Sequence, residues 1–165
     1  MLLYVIRHGK TERNSVTGRD DDRVLLLRGV LQARWLADRL VAREHPPIQI
    51  LSSPIMRAYQ TAEAIAARCQ LPLVLASELS TTTALGKVME LLNTTYSKSD
   101  APVAIVGHNP TLSNLVSVLV ETQAGYFELS TGECAVVELR FDTSSNQALI
   151  HTGACTLIDV MRMPN

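Results

Sequence analysis

Arg7-His8-Gly9, Ser52-Ser53-Pro54 with Arg57 just behind it, and Gly107-His108-Asn109-Pro110 each follow a short apolar run, LLYVI, IQIL and VAIV respectively. Arginine carries a fixed fork of donors matched to phosphate oxygens. Arg7 and Arg57 together would therefore hold a dianionic phosphoryl group and offset the charge that builds during its transfer. A neutral imidazole is a nucleophile near pH 7, so one histidine can take the phosphoryl group covalently and pass it to water. A second histidine, protonated, can donate to the phosphoryl oxygens. Amide N–H groups at helix starts near Pro54 and Pro110 would add anion stabilisation. These side chains ask for phosphate, provided the fold brings them to one place.

The elements that must do so are legible as alternating strands and helices. Apolar runs of this length followed by helical periodicity read as buried parallel strands, and open α/β sheets bind ligands outside the carboxyl ends of their strands. Residues 2–6 read as the first strand and 10–27 as a polar loop, rich in Arg and Asp, that crosses the cleft. Ala33, Leu36, Ala37, Leu40 and Val41 give helical spacing over residues 28–43, stopped by His45-Pro46-Pro47. After a strand at 48–51, Ser53 caps a helix with Pro54 at its first position. That helix carries an apolar face from Ile55 to Cys69, with Arg57 off the face. A short strand at 71–75, a helix through 87–92, a strand at 103–106 and a helix opened by Asn109 and Pro110 follow. Residues 134–141 and 147–154 alternate like an edge hairpin turning at 143–146. The predicted fold is a three-layer α/β/α sandwich around a mostly parallel sheet, with a C-terminal antiparallel hairpin.

Composition bounds the rest. A chain of 165 residues, 47% hydrophobic and 19% charged, is expected to form one globular domain over 1–165. Its net charge of −1 predicts no overall attraction to nucleic acid, although a basic cleft can exist within a near-neutral total. Cys69, Cys134 and Cys155 are odd in number and far apart, which indicates neither a disulfide framework nor a Cys-x-x-Cys metal site and suits a reducing cytoplasm. The amino terminus lacks a basic region before its apolar stretch, and no run approaches membrane-spanning length, so neither a signal peptide nor a membrane segment is expected. Gly9-Lys10-Thr11 looks like the end of a P-loop, but such a loop requires glycine where Tyr4 stands.

The three blocks, in this order and spacing, resemble the histidine phosphatase superfamily, which is phosphoglycerate mutase-like, over nearly the whole chain. The second arginine block runs from Ser52 to Ala62 as SSPIMRAYQTA. The small size, the Gly-His-Asn-Pro form and the segment Thr131-Gly132-Glu133-Cys134-Ala135 are most similar to the SixA-type phosphohistidine phosphatases. The resemblance implies that His8 is the phosphoryl acceptor, that Arg7 and Arg57 clamp the phosphate and that His108 completes the pocket. It implies no metal and no other cofactor. Gly9 to Asn14 looks more like phosphoglycerate mutase and related phosphomonoesterases, which makes Thr11 and Asn14 expected phosphate contacts, with Asn109 of the second histidine block beside them. Glu78, after the third strand, stands where relatives carry a general acid. An alkoxide leaving group needs such a donor, whereas an imidazole leaving group can arrive already protonated.

The expected activity is therefore that of a phosphatase working through a phosphohistidine intermediate, with a phosphorylated protein as partner. The alternatives are a phosphomonoesterase for small phosphorylated metabolites and a catalytically silent phosphate-binding module. The short segment from Glu78 to Ala101 leaves no room for the substrate cap of larger relatives, which favours a pocket open to a protein side chain. His45, in a Pro-rich linker, and His151, in the hairpin, read as structural or solvated. Arg13, Arg19 and Arg23 with Asp20 to Asp22 read as a solvated loop with local ion pairs.

Overall fold

The computed structural model describes residues 1–120 and 125–165. Strands β1 (Leu2–Arg7), β2 (Gln49–Ser52), β3 (Leu73–Leu75), β4 (Val103–Gly107), β5 (Cys134–Glu138) and β8 (Thr156–Met161) form one sheet in the order β3-β2-β4-β1-β5-β8. The first four strands in that order are parallel, whereas β5 runs antiparallel to both β1 and β8. Helices α1 (Leu27–Val41), α2 (Met56–Cys69), α3 (Leu85–Tyr96) and α4 (Thr111–Leu119) complete the layers.

Alternation along the strands decides which helix covers which face. On β1, Tyr4 and Ile6 join Ala33, Leu36 and Leu40 of α1 and Ala58, Ala62 and Ile65 of α2. Leu3 and Val5 point the other way, into Val88 and Leu92 of α3 and Leu112, Leu115 and Val116 of α4. β4 repeats the division with Ala104 and Val106 on the first face and Val103 and Ile105 on the second. Both faces are thus buried, which is why these strands read as unbroken apolar runs. Each fully buried Leu or Ile contributes about 2 kcal/mol of transfer free energy. The sandwich is the predicted one.

Four elements differ from the sequence expectation. Helix α2 begins at Met56 with Ile55 as its cap residue and no side-chain cap, not at Pro54 behind a Ser53 cap. The C-terminal hairpin exists, but only as β6 (Phe141–Asp142) with β7 (Leu149–Ile150), a separate two-stranded sheet. Residues 134–138 lie inside the main sheet, because Cys134 to Val137 are buried on both faces, and their second neighbour is the unanticipated edge strand β8. β8 escaped notice because Ile158 and Val160 are exposed while Asp159, paired with Arg43 at 2.7 Å, stands among its inward residues. Helix α3 runs on to Tyr96, past the predicted end near Leu92. Its β-branched tail is held by burial of Tyr96, whose hydroxyl donates to the Leu2 carbonyl at 2.7 Å.

The start of α1 is pressed against the segment following β1. A Cβ on Gly29 would lie 2.2 Å from the Lys10 carbonyl oxygen, and one on Gly9 would lie 2.7 Å from the Gly29 carbonyl. The Leu26 amide donates to that same Lys10 carbonyl at 2.9 Å, so backbone on both sides blocks relief. Gly29→Ala is expected to lower stability by about 1–3 kcal/mol, whereas Gly86→Ala, in the open first turn of α3, should raise it by about 0.5 kcal/mol. Urea unfolding of the two variants checks the contrast.

Candidate active site

Parallel pairing of β1 with β4 sets Arg7 opposite Gly107, and the His8 amide donates to the Gly107 carbonyl at 3.1 Å. Both histidines therefore leave the sheet at the same level, with ring centroids 5.3 Å apart and planes inclined by 52°. The Ser53 amide donates to the Val106 carbonyl at 2.9 Å, which brings the exit of β2 alongside. Helix α2 follows at once and delivers Arg57 from its first turn. The result is a cleft of about 580 Å³ lined by Arg7, His8, Arg57, His108, Thr11 and Asn109, to which Lys10, Arg13 and Arg23 add three further cations.

His8 is 7% exposed, and its Nδ1 lies 2.8 Å from the Gly9 carbonyl oxygen. A carbonyl only accepts, so Nδ1 carries the proton and Nε2 holds the free lone pair. Burial, opposed by that hydrogen bond and helped by the charges of Arg57 and Arg7, pulls the imidazole pKa down to about 4. His108 is pulled down to about 3, first by burial and then by His8 and Arg57. In the resting cleft the second histidine is accordingly held neutral near pH 7, unlike the protonated donor expected from the sequence, and what it can donate there is its single ring proton.

The two clamp candidates are held differently. Arg7 donates through Nη1 to the Leu129 carbonyl at 3.0 Å. Arg57 is 5% exposed and grips Asp20 twice, Nη1 to the backbone carbonyl at 3.0 Å and Nη2 to Oδ2 at 3.1 Å. Asp20 also accepts from Arg23 Nη1 at 2.9 Å, and that bond, with Arg57 behind it, holds its carboxyl below the ordinary carboxylate range. The loop is thus more than a solvated one. Its local ion pairs exist, but Asp20 straps it across Arg57, while Arg13 and Arg23 face the cleft.

Among the remaining predicted residues, Thr11 lines the cleft and accepts from Arg23 Nη2 at 2.6 Å. Asn109 lines it too, but its amide is occupied: Nδ2 donates to the Leu129 carbonyl at 2.7 Å, and Oδ1 accepts from the Ser113 hydroxyl at 2.8 Å. Asn14 is exposed on the loop and does not line the cleft. Glu78 sits in a 3₁₀ turn, Ser77–Leu79, and lines a different groove beside β3 and α3, because the chain turns away from the cleft after β3. The segment just before α2, expected to add amide donors near Pro54, lies off the cleft as well: Pro54 and Ile55 line a groove with Asp21 and Asp22. Sequence reading passed over Gln32 and Thr61. Gln32 Oε1 accepts from the Lys10 amide at 2.8 Å, and Thr61 Oγ1 accepts from the Gly9 amide at 3.0 Å. Each is a polar residue on an otherwise apolar helix face, and that was the available signal.

Five cations and two neutral imidazoles line the cleft, and the carboxylate that reaches it, Asp20, is engaged by Arg23 and Arg57. This donor set suits an anion rather than a metal ion. Residues 3–84 match the model of the histidine phosphatase superfamily, branch 1. The chain belongs to the histidine phosphatase superfamily. Membership makes a phosphatase hydrolase the general activity. An uncharacterized protein of Picosynechococcus sp. is 30% identical over 149 residues, 90% of each chain. The fold is similar to that of the protein histidine phosphatase SixA complexed with tungstate, with a TM-score of 0.80 at 24% identity over 98% of this chain and 96% of that one. SixA from Agrobacterium tumefaciens gives 0.75 at 24% identity, covering 98% of both chains. A mycobacterial glucosyl-3-phosphoglycerate phosphatase complexed with VO3 gives 0.68 at 18% identity, covering 92% and 96%.

Because both imidazole pKa values are depressed, the neutral forms persist well below the ordinary histidine range and protonate only in strong acid. The Cε1–H resonances of His8 and His108 are expected to hold still from about pH 8 to about pH 5. A titration midpoint near 6.5 in either would contradict the burial described above.

Proposed function

We propose that this chain is a phosphohistidine phosphatase acting on a phosphorylated protein. The observation that carries the reading is the make-up of the cleft: cations and imidazoles for a phosphoryl group, with the one carboxyl against them, Asp20, held below the ordinary carboxylate range by Arg23 and Arg57 and so ill suited to protonate an alkoxide. An imidazole leaving group needs no such acid, since it can depart carrying a proton it already holds. Only residues 80–84 separate the 3₁₀ turn from α3, so no cap is built there over the cleft, and a protein side chain can enter.

In this mechanism His8 Nε2 forms a bond to phosphorus as the bond from phosphorus to the substrate nitrogen breaks. Water then attacks phosphorus, the bond to His8 breaks, and inorganic phosphate leaves. Arg7 and Arg57 bind the phosphoryl oxygens through both states, and an anion there must compete with Asp20 for Arg57. Two buried nitrogens of cleft residues, Arg7 Nε and His108 Nδ1, have no protein partner among the described residues, and a phosphoryl oxygen that reached either would supply the missing acceptor. Thr11, buried in the cleft wall, positions Arg23 by accepting from its guanidinium, and Asn109 acts by fixing the start of α4 to Leu129. The three cysteines are free thiols, which suits work in a reducing cytoplasm.

A second reading, a phosphomonoesterase for small metabolites, is favoured by Lys10, Arg13 and Arg23, which give the cleft more positive charge than one phosphoryl group requires. Phosphate release by metal-free protein from a phosphohistidine-bearing protein and from an alkyl phosphomonoester separates the two. The proposal expects strong preference for the first, no effect of chelators, loss of turnover in His8→Ala by at least about a thousandfold, and turnover in Glu78→Gln within about twofold of wild type. Preference for the ester with a large Glu78→Gln defect would favour the metabolite reading, and turnover of neither would leave a binding module.

A further inference from the structure

Ser53 is wholly buried at the exit of β2, and its hydroxyl lies against the second histidine, Oγ to His108 Nε2 at 2.8 Å. We propose that Ser53 is a positioning residue that donates its hydroxyl proton to His108 Nε2 and so locks this ring in the tautomer with its proton on Nδ1, a donor aimed at the bound anion. The inference rests on the reading of the cleft as a phosphoryl site.

Hydrogen-bond accounting carries it. Among the described residues Ser53 Oγ has two hydrogen-bond neighbours, the Ile55 amide at 3.1 Å and His108 Nε2 at 2.8 Å. An amide N–H only donates, so Oγ accepts there, and the hydroxyl proton must find its acceptor elsewhere. Among the described residues Nε2 is the one acceptor in reach. Were the ring proton on Nε2 instead, Oγ would accept twice and its own proton would be buried with no partner, a penalty large enough to decide a tautomer. That arrangement would also turn the lone pair of Nδ1, the ring nitrogen without a protein partner, toward a phosphoryl oxygen. Both conflicts disappear when Ser53 donates.

Burial keeps His108 uncharged, so the position of its one ring proton decides whether the ring attracts an anion or repels it. The two rings thereby acquire different tasks from different neighbours. At His8 a carbonyl takes the Nδ1 proton and frees Nε2 as nucleophile. At His108 a hydroxyl occupies Nε2 and frees the Nδ1 proton as donor. Ser53 makes this assignment without touching substrate.

The direct test is a long-range ¹H–¹⁵N correlation spectrum of the resting wild-type protein near pH 7, repeated with orthovanadate and with Ser53→Ala and Ser53→Thr. The inference expects His108 with Nδ1 protonated and Nε2 bare in the wild type. Ser53→Ala should lose the single tautomer and bind vanadate about tenfold more weakly, with the His8 signals unmoved. Ser53→Thr, which keeps the hydroxyl, should restore the tautomer. Protonated Nε2 in the wild type, or an unchanged tautomer and vanadate affinity in Ser53→Ala, would overturn it. If neither variant folds, the wild-type spectrum decides alone. Because that spectrum needs no turnover, a correct tautomer in a protein inactive on every phosphate substrate would sink the proposed function and spare this inference, and the reverse result would do the opposite.

Discussion

Parallel pairing of β1 with β4 is the constraint on which the site depends. It puts two chain exits side by side, so that two buried imidazoles lie with their ring centroids 5.3 Å apart. Everything else in the cleft is arranged around that pair. Helix α2 supplies Arg57 and, through Thr61, the acceptor for the Gly9 amide, while α1 supplies Gln32 for the Lys10 amide. The segment after β1 is therefore held by side chains from both helices of one layer, and the close approach of Gly9 to Gly29 leaves it no slack.

Electrostatics then sort the residues. Burial alone would make neutral histidines, and neighbouring arginines push in the same direction. A buried guanidinium, by contrast, stays charged and needs a partner. Arg57 has Asp20, a carboxylate that is well exposed and that it shares with Arg23. The resting cleft thus keeps its most buried cation paired through a surface loop, and an entering dianion offers a replacement of the same sign and greater charge.

The sandwich was legible because its two strongest signals, unbroken apolar runs and three-to-four-residue spacing, report burial directly. The four central side chains were legible because each ends such a run or opens the helix after it. Edge structure was not: β8 alternates exposed Ile158 and Val160 with inward Asp159, a pattern that burial does not announce. Loop contacts were equally hidden. Nothing in the spacing of residues 10–27 reveals that Asp20 meets Arg57, thirty-seven residues away. Nor did the sequence show that Glu78 lines the groove beside β3 and α3 and not the cleft, because its position depends on the turn after β3 and not on the strand itself. Asn14, by proximity to His8 in sequence, looked like a contact and is carried outward by the loop.

The central claim is that His8, through Nε2, carries the phosphoryl group between substrate and water. Rapid quenching of the enzyme during turnover into alkali, where N-phosphates survive, followed by peptide mass spectrometry and ³¹P NMR, tests it most directly. The account predicts one phosphoryl group per chain, on His8 and bonded to Nε2. A phosphoryl group on His108, attachment through Nδ1 of His8, or turnover with no phosphoenzyme in a variant whose second step is slowed, would contradict it.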